Sequence, residues 1–492
     1  MVARLDVSPR APEVTRIVVR DQLAQLEGAF PEDAVRQVTS YRVRGAEFTP
    51  AYQKLRADGS RLWDGRRHLL LRPDNLFPAG LVEEVHRLLL RHGVPTEILD
   101  LTDYPAPARD APEFSDLPAE GQLRGYQREG IARALVLRRG IVKIATGGGK
   151  TILAAGLVSQ LGAPSLILVE SKDLLLQTQS VLERHLRSEV GVIGDGRWEE
   201  KDIVIASVAT LARRIAEPRT RAFLRTRKLL VVDEVHHGAS DRAFQVIMAC
   251  PAPYRIGLSA TPTGRSDNAD LKVRAGIGPV IHDVSAGELI TAGVLVRPVV
   301  ELIPIGFPLI SQVDYATAYR RGIVECQSRN QHIVTRVAQL HREGLQTLVL
   351  VRELEHGEAL LASLRATGVE AEFIFGAGNT SRERKAVLDR FRAGELRCLV
   401  SSPILDEAID LPNIDALVLA AGGKSEIQCI QRIGRGMRAG KRSAVLLVID
   451  FLDQTHRYLT AHSRDRLQTY NSQGYEVRYP DHWAFARSRL AS

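Results

Sequence analysis

From about residue 140 onward, short apolar runs rich in β-branched residues alternate with longer stretches of helical period. The runs at 140–144, 165–169, 202–206, 228–232 and 255–258 are too short for helices, and the stretches between them are long enough to be helices. That alternation predicts strand–helix–strand units on a parallel sheet. It fades across 263–300 and resumes at 347–351, 371–375, 397–401, 416–420 and 444–449, which predicts a second open sheet after the first. Upstream, residues 1–100 mix strand-like pieces such as 16–19 with a helix-like stretch at 81–91. The following LTDYPAPARDAPEFSDLPAE is rich in Pro and Asp, lacks apolar periodicity and reads as a linker. The expected fold class is α/β: two tandem parallel-sheet domains and a small α+β N-terminal domain. The expected boundaries are 1–100 for that accessory domain, 101–119 for the linker, 120–297 and 298–455 for the two sheet domains, and 456–492 for a C-terminal tail.

Composition agrees with this organisation. The chain has 492 residues, 45% of them hydrophobic, enough for three cores at roughly 100–200 residues per domain. That excludes a disordered, collagen-like or small disulfide-stapled protein. Cys250, Cys326, Cys398 and Cys429 are far apart in the sequence, with no C-x-x-C pair and no His at ligand spacing. They read as buried thiols of a reducing compartment and argue against zinc or iron–sulfur ligation. There is no run of about 18 apolar residues, and the start lacks an apolar core of signal-peptide length. The expectation is a soluble, cytoplasmic protein without a membrane partner. The net charge of +8 permits a polyanionic partner without requiring one, and 56 of the 66 basic residues are Arg, which suits bidentate phosphate contacts.

Two segments carry the chemistry. The run GIVKI leads into ATGGGKT, followed by the helix-like ILAAGLVSQL. A strand, a glycine-dense turn and a helix N-terminus aim backbone N–H groups and the helix dipole at one spot, which fits a polyphosphate. Thr146, Gly147, Gly148 and Gly149 form the turn, Lys150 reaches the terminal phosphates, and the Thr151 hydroxyl is a ligand for Mg²⁺. Ile144 stands where the strict motif has its first Gly. Farther on, KLLVVDEVHH ends an apolar strand in two carboxylates, which are costly to bury unless they meet a cation or a polar ligand. Asp233 is placed to hold Mg²⁺ and Glu234 to orient and deprotonate an attacking water, with His236 on the same turn. ATP and Mg²⁺ are the expected substrate and metal.

With IGLSATPTGR and QRIGRGMR also present, residues 120–450 resemble the DExH superfamily 2 helicases. The resemblance implies two RecA-like domains. It assigns Gln127 of LRGYQ to the adenine edge with Arg124 and Tyr126 beside the base, and Asp410 of SSPILDEAIDLP to the ribose side. It implies that Arg435 and Arg438 act as arginine fingers, that Gln431 faces His236, and that Ser259 and Thr261 couple hydrolysis to strand movement. Ser402 stands at the usual Thr of the nucleic-acid backbone motif, and Ala408 where most relatives carry Gly. Ser171, Lys172, Thr210 and Arg352 are candidates for phosphate contacts, with ordinary cap or loop roles as the alternative.

RLWDGRRHLLL followed by DNLFPAGLVEEVHRLLLRHG resembles the accessory domain of UvsW-type phage recombination and repair helicases. Trp63 and Arg66 lie in a basic setting suited to a nucleic-acid contact; the alternative is that Trp63 anchors a small core and Asp64-Gly65 make a hairpin turn. The family implies a 3′-to-5′ DNA helicase or translocase for forks, junctions and displacement loops, on single-stranded and branched DNA. RNA in R-loops and recombination or single-strand-binding proteins are further partners under that resemblance. An XPB-like helicase or restriction-type double-strand translocase stays open, though no Arg-Glu-Asp tripeptide is present. An ATP-gated annealing module that does not unwind also stays open.

Overall fold

The computed structural model describes residues 14–43, 45–54, 62–108, 122–260, 270–295, 297–311, 313–375, 381–402, 414–423, 445–472 and 474–479. The chain divides into two compact units, the first holding the N-terminal module and the first large sheet, the second holding the other large sheet.

The N-terminal module has strands β1 (Thr15–Arg20), β2 (Leu23–Glu27), β3 (Ser40–Arg42), β4 (Arg66–His68), β5 (Leu76–Pro78) and β6 (Thr96–Asp100). Four of them form a sheet in the order β5-β2-β1-β6, while β3 and β4 pair as a separate antiparallel ribbon. β1 runs antiparallel to β2 and parallel to β6, with Val18 opposite both Gln25 and Leu99. The Val82–Arg91 helix covers this sheet because its apolar positions fall on one stripe; Val85 and Leu89 are fully buried. Each contributes about 1.5–3 kcal/mol of burial free energy. The core is not closed by the module alone. Ile17, Leu26, Phe77 and Leu81 share it with Leu271 and Ala275 of the Asp270–Gly276 helix. Gly80 lies so close to that helix that a Cβ would collide with the carbonyls of Arg274 and Ala275. Glu84 pairs with Arg274 at 2.9 Å, and Arg139 donates to the Asp21 carbonyl at 2.7 Å.

The first large sheet contains β7 (Arg139–Ile144), β8 (Ser165–Val169), β9 (Gly191–Gly194), β10 (Arg197–Trp198), β11 (Ile203–Ser207), β12 (Leu229–Val232), β13 (Tyr254–Ser259) and β14 (Val280–Val284). Its order is β10-β9-β11-β8-β12-β13-β7-β14. β9, β11, β8, β12, β13 and β7 run parallel, and the two-residue β10 turns back antiparallel on β9. Buried on both faces, the central strands are mostly apolar, as in LLVV at β12. Each expected run of this domain is a strand. The expected sequence pattern hides β9, β10 and β14, which carry Gly, Arg, His and Asp.

The second sheet contains β15 (Arg297–Ile305), β16 (Thr347–Leu350), β17 (Ala371–Ile374), β18 (Cys398–Ser401), β19 (Ala416–Leu419), β20 (Val445–Asp453) and β21 (Glu476–Arg478). Its order is β17-β18-β16-β19-β20-β15-β21, with each neighbouring pair parallel. β15 lies where the apolar pattern weakens, because Pro298, Glu301 and Pro304 interrupt its sequence. Residues 457–478 complete this domain: the Arg457–Ser472 helix packs on β20 and β21 joins β15 at the sheet edge. No helix among the described residues is long and apolar enough to cross a membrane.

Candidate active site and nucleic-acid interface

β7 runs out at Ile144, and the chain turns through 145–149 into the Lys150–Leu161 helix. Gly147 and Gly149 have φ of 87° and 77°, the left-handed region that glycine enters without a steric penalty. At Gly149 a Cβ would also stand 2.6 Å from the Gln127 amide nitrogen, so the position admits no side chain. Ile144 is fully buried and belongs to the core, so the missing first glycine of the strict motif lies on the strand, before the turn begins. The turn delivers the N-terminus of a mostly buried helix, whose first N–H groups have no partners within the helix.

Next to it in space, β12 ends in the carboxylate turn. Lys150 Nζ is 2.8 Å from Glu234 Oε1, joining two segments separated by more than eighty residues. Asp233 Oδ1 accepts from the Glu234 amide at 3.0 Å. Burial raises the Asp233 carboxyl above the ordinary carboxylate range, and the neighbouring Glu234 charge adds to the rise, with Lys150 opposing both. Burial is the largest influence on Glu234 and pushes it upward as well, but there the Lys150 ammonium together with His236 and His237 outweighs it and the net shift is down. Glu234 has φ of 44°, a left-handed conformation that costs a non-glycine residue about 1–2 kcal/mol. Such strain persists only where the surroundings over-determine it. Glu234 Oε2 is buried without a hydrogen bond, with His236 Nδ1 at 3.4 Å. His236 Nδ1 is also 3.1 Å from Ser259 Oγ at the end of β13, and both residues are buried. The carboxylate turn and the SAT segment are therefore in direct contact.

This donor set fits Mg²⁺. Thr151 supplies a hydroxyl and Asp233 a carboxylate, hard oxygen ligands of the kind Mg²⁺ takes with phosphate. Among the described residues no cluster of three His, Cys, Asp or Glu could hold a metal. Cys250, Cys326 and Cys398 are free and buried.

The other expected site residues fall into three groups. Gln127 is fully buried, and its amide is engaged by the protein: Oε1 accepts from Arg124 N at 2.8 Å and Nε2 donates to Gly149 O at 3.1 Å. It thus holds the phosphate turn against the helix that carries Arg124 and Tyr126, whose side chains meet at 3.4 Å. Ser171 caps the Lys172–Leu186 helix through Leu174 N, Lys172 pairs with Asp195 at 2.6 Å, and Thr210 lies on the Val208–Arg213 helix. In the second domain Arg352 and Ser402 follow β16 and β18 at the C-terminal edge of the sheet. Arg352 is exposed and lies 5.4 Å from the Tyr319 ring, whereas Ser402 is buried and donates its N–H to Ile374 O. Trp63 Nε1 donates to Arg66 O at 2.8 Å, and the Arg66 guanidinium is held by Ser40 Oγ and O. Asp64-Gly65 form a bend leading into β4 rather than a link between the paired strands β3 and β4, and Trp63 is half-buried. Thr261, Asp410, Gln431, Arg435 and Arg438 lie outside the described residues.

Two buried clusters gave no sequence signal. Arg255, on β13, donates to the carbonyls of Ile247, Cys250 and Gly276, tying β13 to the ends of the two helices that follow the carboxylate turn and the SAT segment. In the second domain Arg329 binds Asp453 and Ala420 O, and Arg466 binds Asp450 and Gly423 O. These hold the chain where β19 leads toward the segment bearing Gln431, Arg435 and Arg438. An arginine usually keeps its charge in solvent whether it falls in a strand or a helix, so nothing in the sequence singles these three out.

Two family models match the chain: the res subunit of type III restriction enzymes at residues 120–264, and the helicase conserved C-terminal domain at 329–440. The chain is 33% identical over 354 residues to a candidate DNA 3′-5′ helicase, Rad25, of Haloarcula marismortui, covering 69% of this chain and 55% of that protein. It is 26% identical over 362 residues to the DNA 3′-5′ translocase XPB2 of Sulfurisphaera tokodaii, covering 67% and 81%. Among solved structures, a fragment of a candidate HsdR subunit of a Vibrio vulnificus type I restriction enzyme shares the fold, with a TM-score of 0.56 at 18% identity over 72% of this chain and 68% of that one. The two parallel sheets, the first with this site at its strand ends, have the RecA-like fold of helicase domains. Both family models and the Rad25 relative liken the chain to the superfamily 2 helicases. It spans just over half the length of the Rad25 relative.

Proposed function

We propose that this protein is an ATP-dependent DNA helicase or translocase that remodels branched DNA, moving 3′ to 5′. The observation that carries the reading is the joining of Lys150, Asp233 and Glu234 at the end of a buried parallel sheet, with His236 linked to Ser259. Lys150 binds the terminal phosphates, and Thr151 and Asp233 hold Mg²⁺, which supplies neutralisation of phosphate charge. When phosphate draws Lys150 away, Glu234 loses its ion partner and is left to accept a proton from water. His236 and Ser259 carry the change in that turn to β13. Gln127 keeps the phosphate turn in register, and Arg435 and Arg438 stabilise charge developing on the γ-phosphate.

The direction of movement is supported by the relatives' names, both of which specify 3′-5′ action on DNA. The branched substrate is supported by the likeness of the Trp63–Arg66 segment to the UvsW type. The identity to the Rad25 and XPB2 proteins favours a second reading, an XPB-like helicase or translocase acting on repair intermediates. ATP turnover and strand displacement on single-stranded, forked and junction DNA separate the two. Glu234→Gln should lower turnover by about 10²–10⁴ while ATP still binds. A Glu234→Gln protein that hydrolyses ATP like the wild type would overturn the site assignment, and a wild type indifferent to branching would overturn the branched-DNA reading.

A further inference from the structure

The segment Trp63-Asp64-Gly65-Arg66 spends its polar groups on itself and its neighbour strand. Trp63 Nε1 donates to Arg66 O, Asp64 Oδ1 accepts from Arg66 N at 2.9 Å, Asp64 Oδ2 is 3.0 Å from His68 Nε2, and Arg66 is held by Ser40. Gly65 has φ of 76°, and a Cβ there would stand 2.9 Å from the Tyr52 ring. Each of these ties fixes the β3–β4 ribbon, on which Tyr41 and Arg67 are direct cross-strand partners. That pair meets the first helicase domain. Arg67 Nη1 is 3.4 Å from Asp241 Oδ1, and Lys272 Nζ stands 4.8 Å over the Tyr41 ring.

Lys272 is only 8% exposed, unusual for an ammonium group, and donates to Asp241 Oδ1 at 2.6 Å and Ala239 O at 3.1 Å. Ala239 closes the Val235–Ala239 turn, which begins beside Glu234 and carries His236. Lys272 itself lies on the Asp270–Gly276 helix that the N-terminal module grips through Gly80 and Glu84. A single buried cation thus touches the accessory ribbon and the turn of the general base.

We propose that Lys272 is a positioning residue: by donating to Ala239 O while its ammonium stands over the Tyr41 ring, it makes the carboxylate turn respond to DNA engaged by the protein. The Trp63–Arg66 turn then serves to hold the latch in place. The inference rests on the DNA-dependent ATPase reading above. In the full-length chain, Lys272→Met and Tyr41→Leu should each leave basal kcat, the KM for ATP and DNA affinity within about twofold of wild type. Stimulation of kcat by forked DNA should fall at least about tenfold. Tyr41→Phe keeps the ring under the ammonium and should keep the stimulation. Variants stimulated like the wild type would overturn the inference alone. A fall in basal kcat and melting temperature that accounts for the lost stimulation would overturn it in favour of a purely structural contact. A wild type whose ATPase ignores DNA would overturn the helicase reading together with this inference.

Discussion

At the scale of single residues, chemistry is concentrated where the structure tolerates an unfavourable state. Glu234 is left-handed, Asp233 is held above the ordinary carboxylate range, and Lys150 is largely buried with Glu234 as its partner. These identities were legible in the sequence because a glycine-dense turn before a helix and two carboxylates after an apolar strand each have few other uses. Gln127 was expected at the adenine edge; its engagement with Gly149 O was not legible, since that bond depends on how two segments pack. His356 offers a test in the second domain. Burial, with Arg329 nearby, lowers its imidazole from 6.5 to about 3. Between those values the unfolded chain binds the proton and the folded one does not, so stability rises with pH there and is lost as pH falls below 6.5. The expected slope is at most about 1.4 kcal/mol per pH unit. His356→Gln should flatten that slope in urea titrations at pH 5 and 7; an unchanged slope would remove His356 as its source.

Individual elements were legible in proportion to how uniformly apolar they are. β8 and β12 are fully buried and stand out as SLILV and LLVV. β21, EVR, has two half-buried residues and an exposed one, and becomes a strand only because β15 presents an open edge. The Arg457–Ser472 helix looks detachable in the sequence, yet it supplies Arg466 and Tyr470 to the buried Asp450 carboxylate. Ending the chain after residue 456 should therefore leave Asp450 buried without its cation, a loss of about 3–5 kcal/mol. Calorimetry should then show the second domain's transition weakened or gone. A truncated chain that melts like the intact one would show that the tail is dispensable.

For the whole molecule, the sheet order within each unit and the seat of the N-terminal module are long-range facts. Leu271 and Ala275 complete the module's core, and Gly80 permits backbone contact that no larger residue allows. Gly80→Val should therefore strain a packed seam and lower the first unit's stability by at least about 2 kcal/mol in denaturant titrations. A neutral result would place the module elsewhere.

By itself the sequence determined the two alternating sheets, the phosphate turn, the carboxylate pair and the likeness to one helicase superfamily. Each of these is encoded by neighbouring residues whose burial, charge or backbone freedom leaves little choice. The tertiary structure decided that Lys150 meets Glu234, that Arg66 is spent on Ser40 and that Lys272 stands between the Tyr41 ring and the Ala239 carbonyl. Such pairings join residues far apart in the chain, and the energy that selects them comes from packing and desolvation.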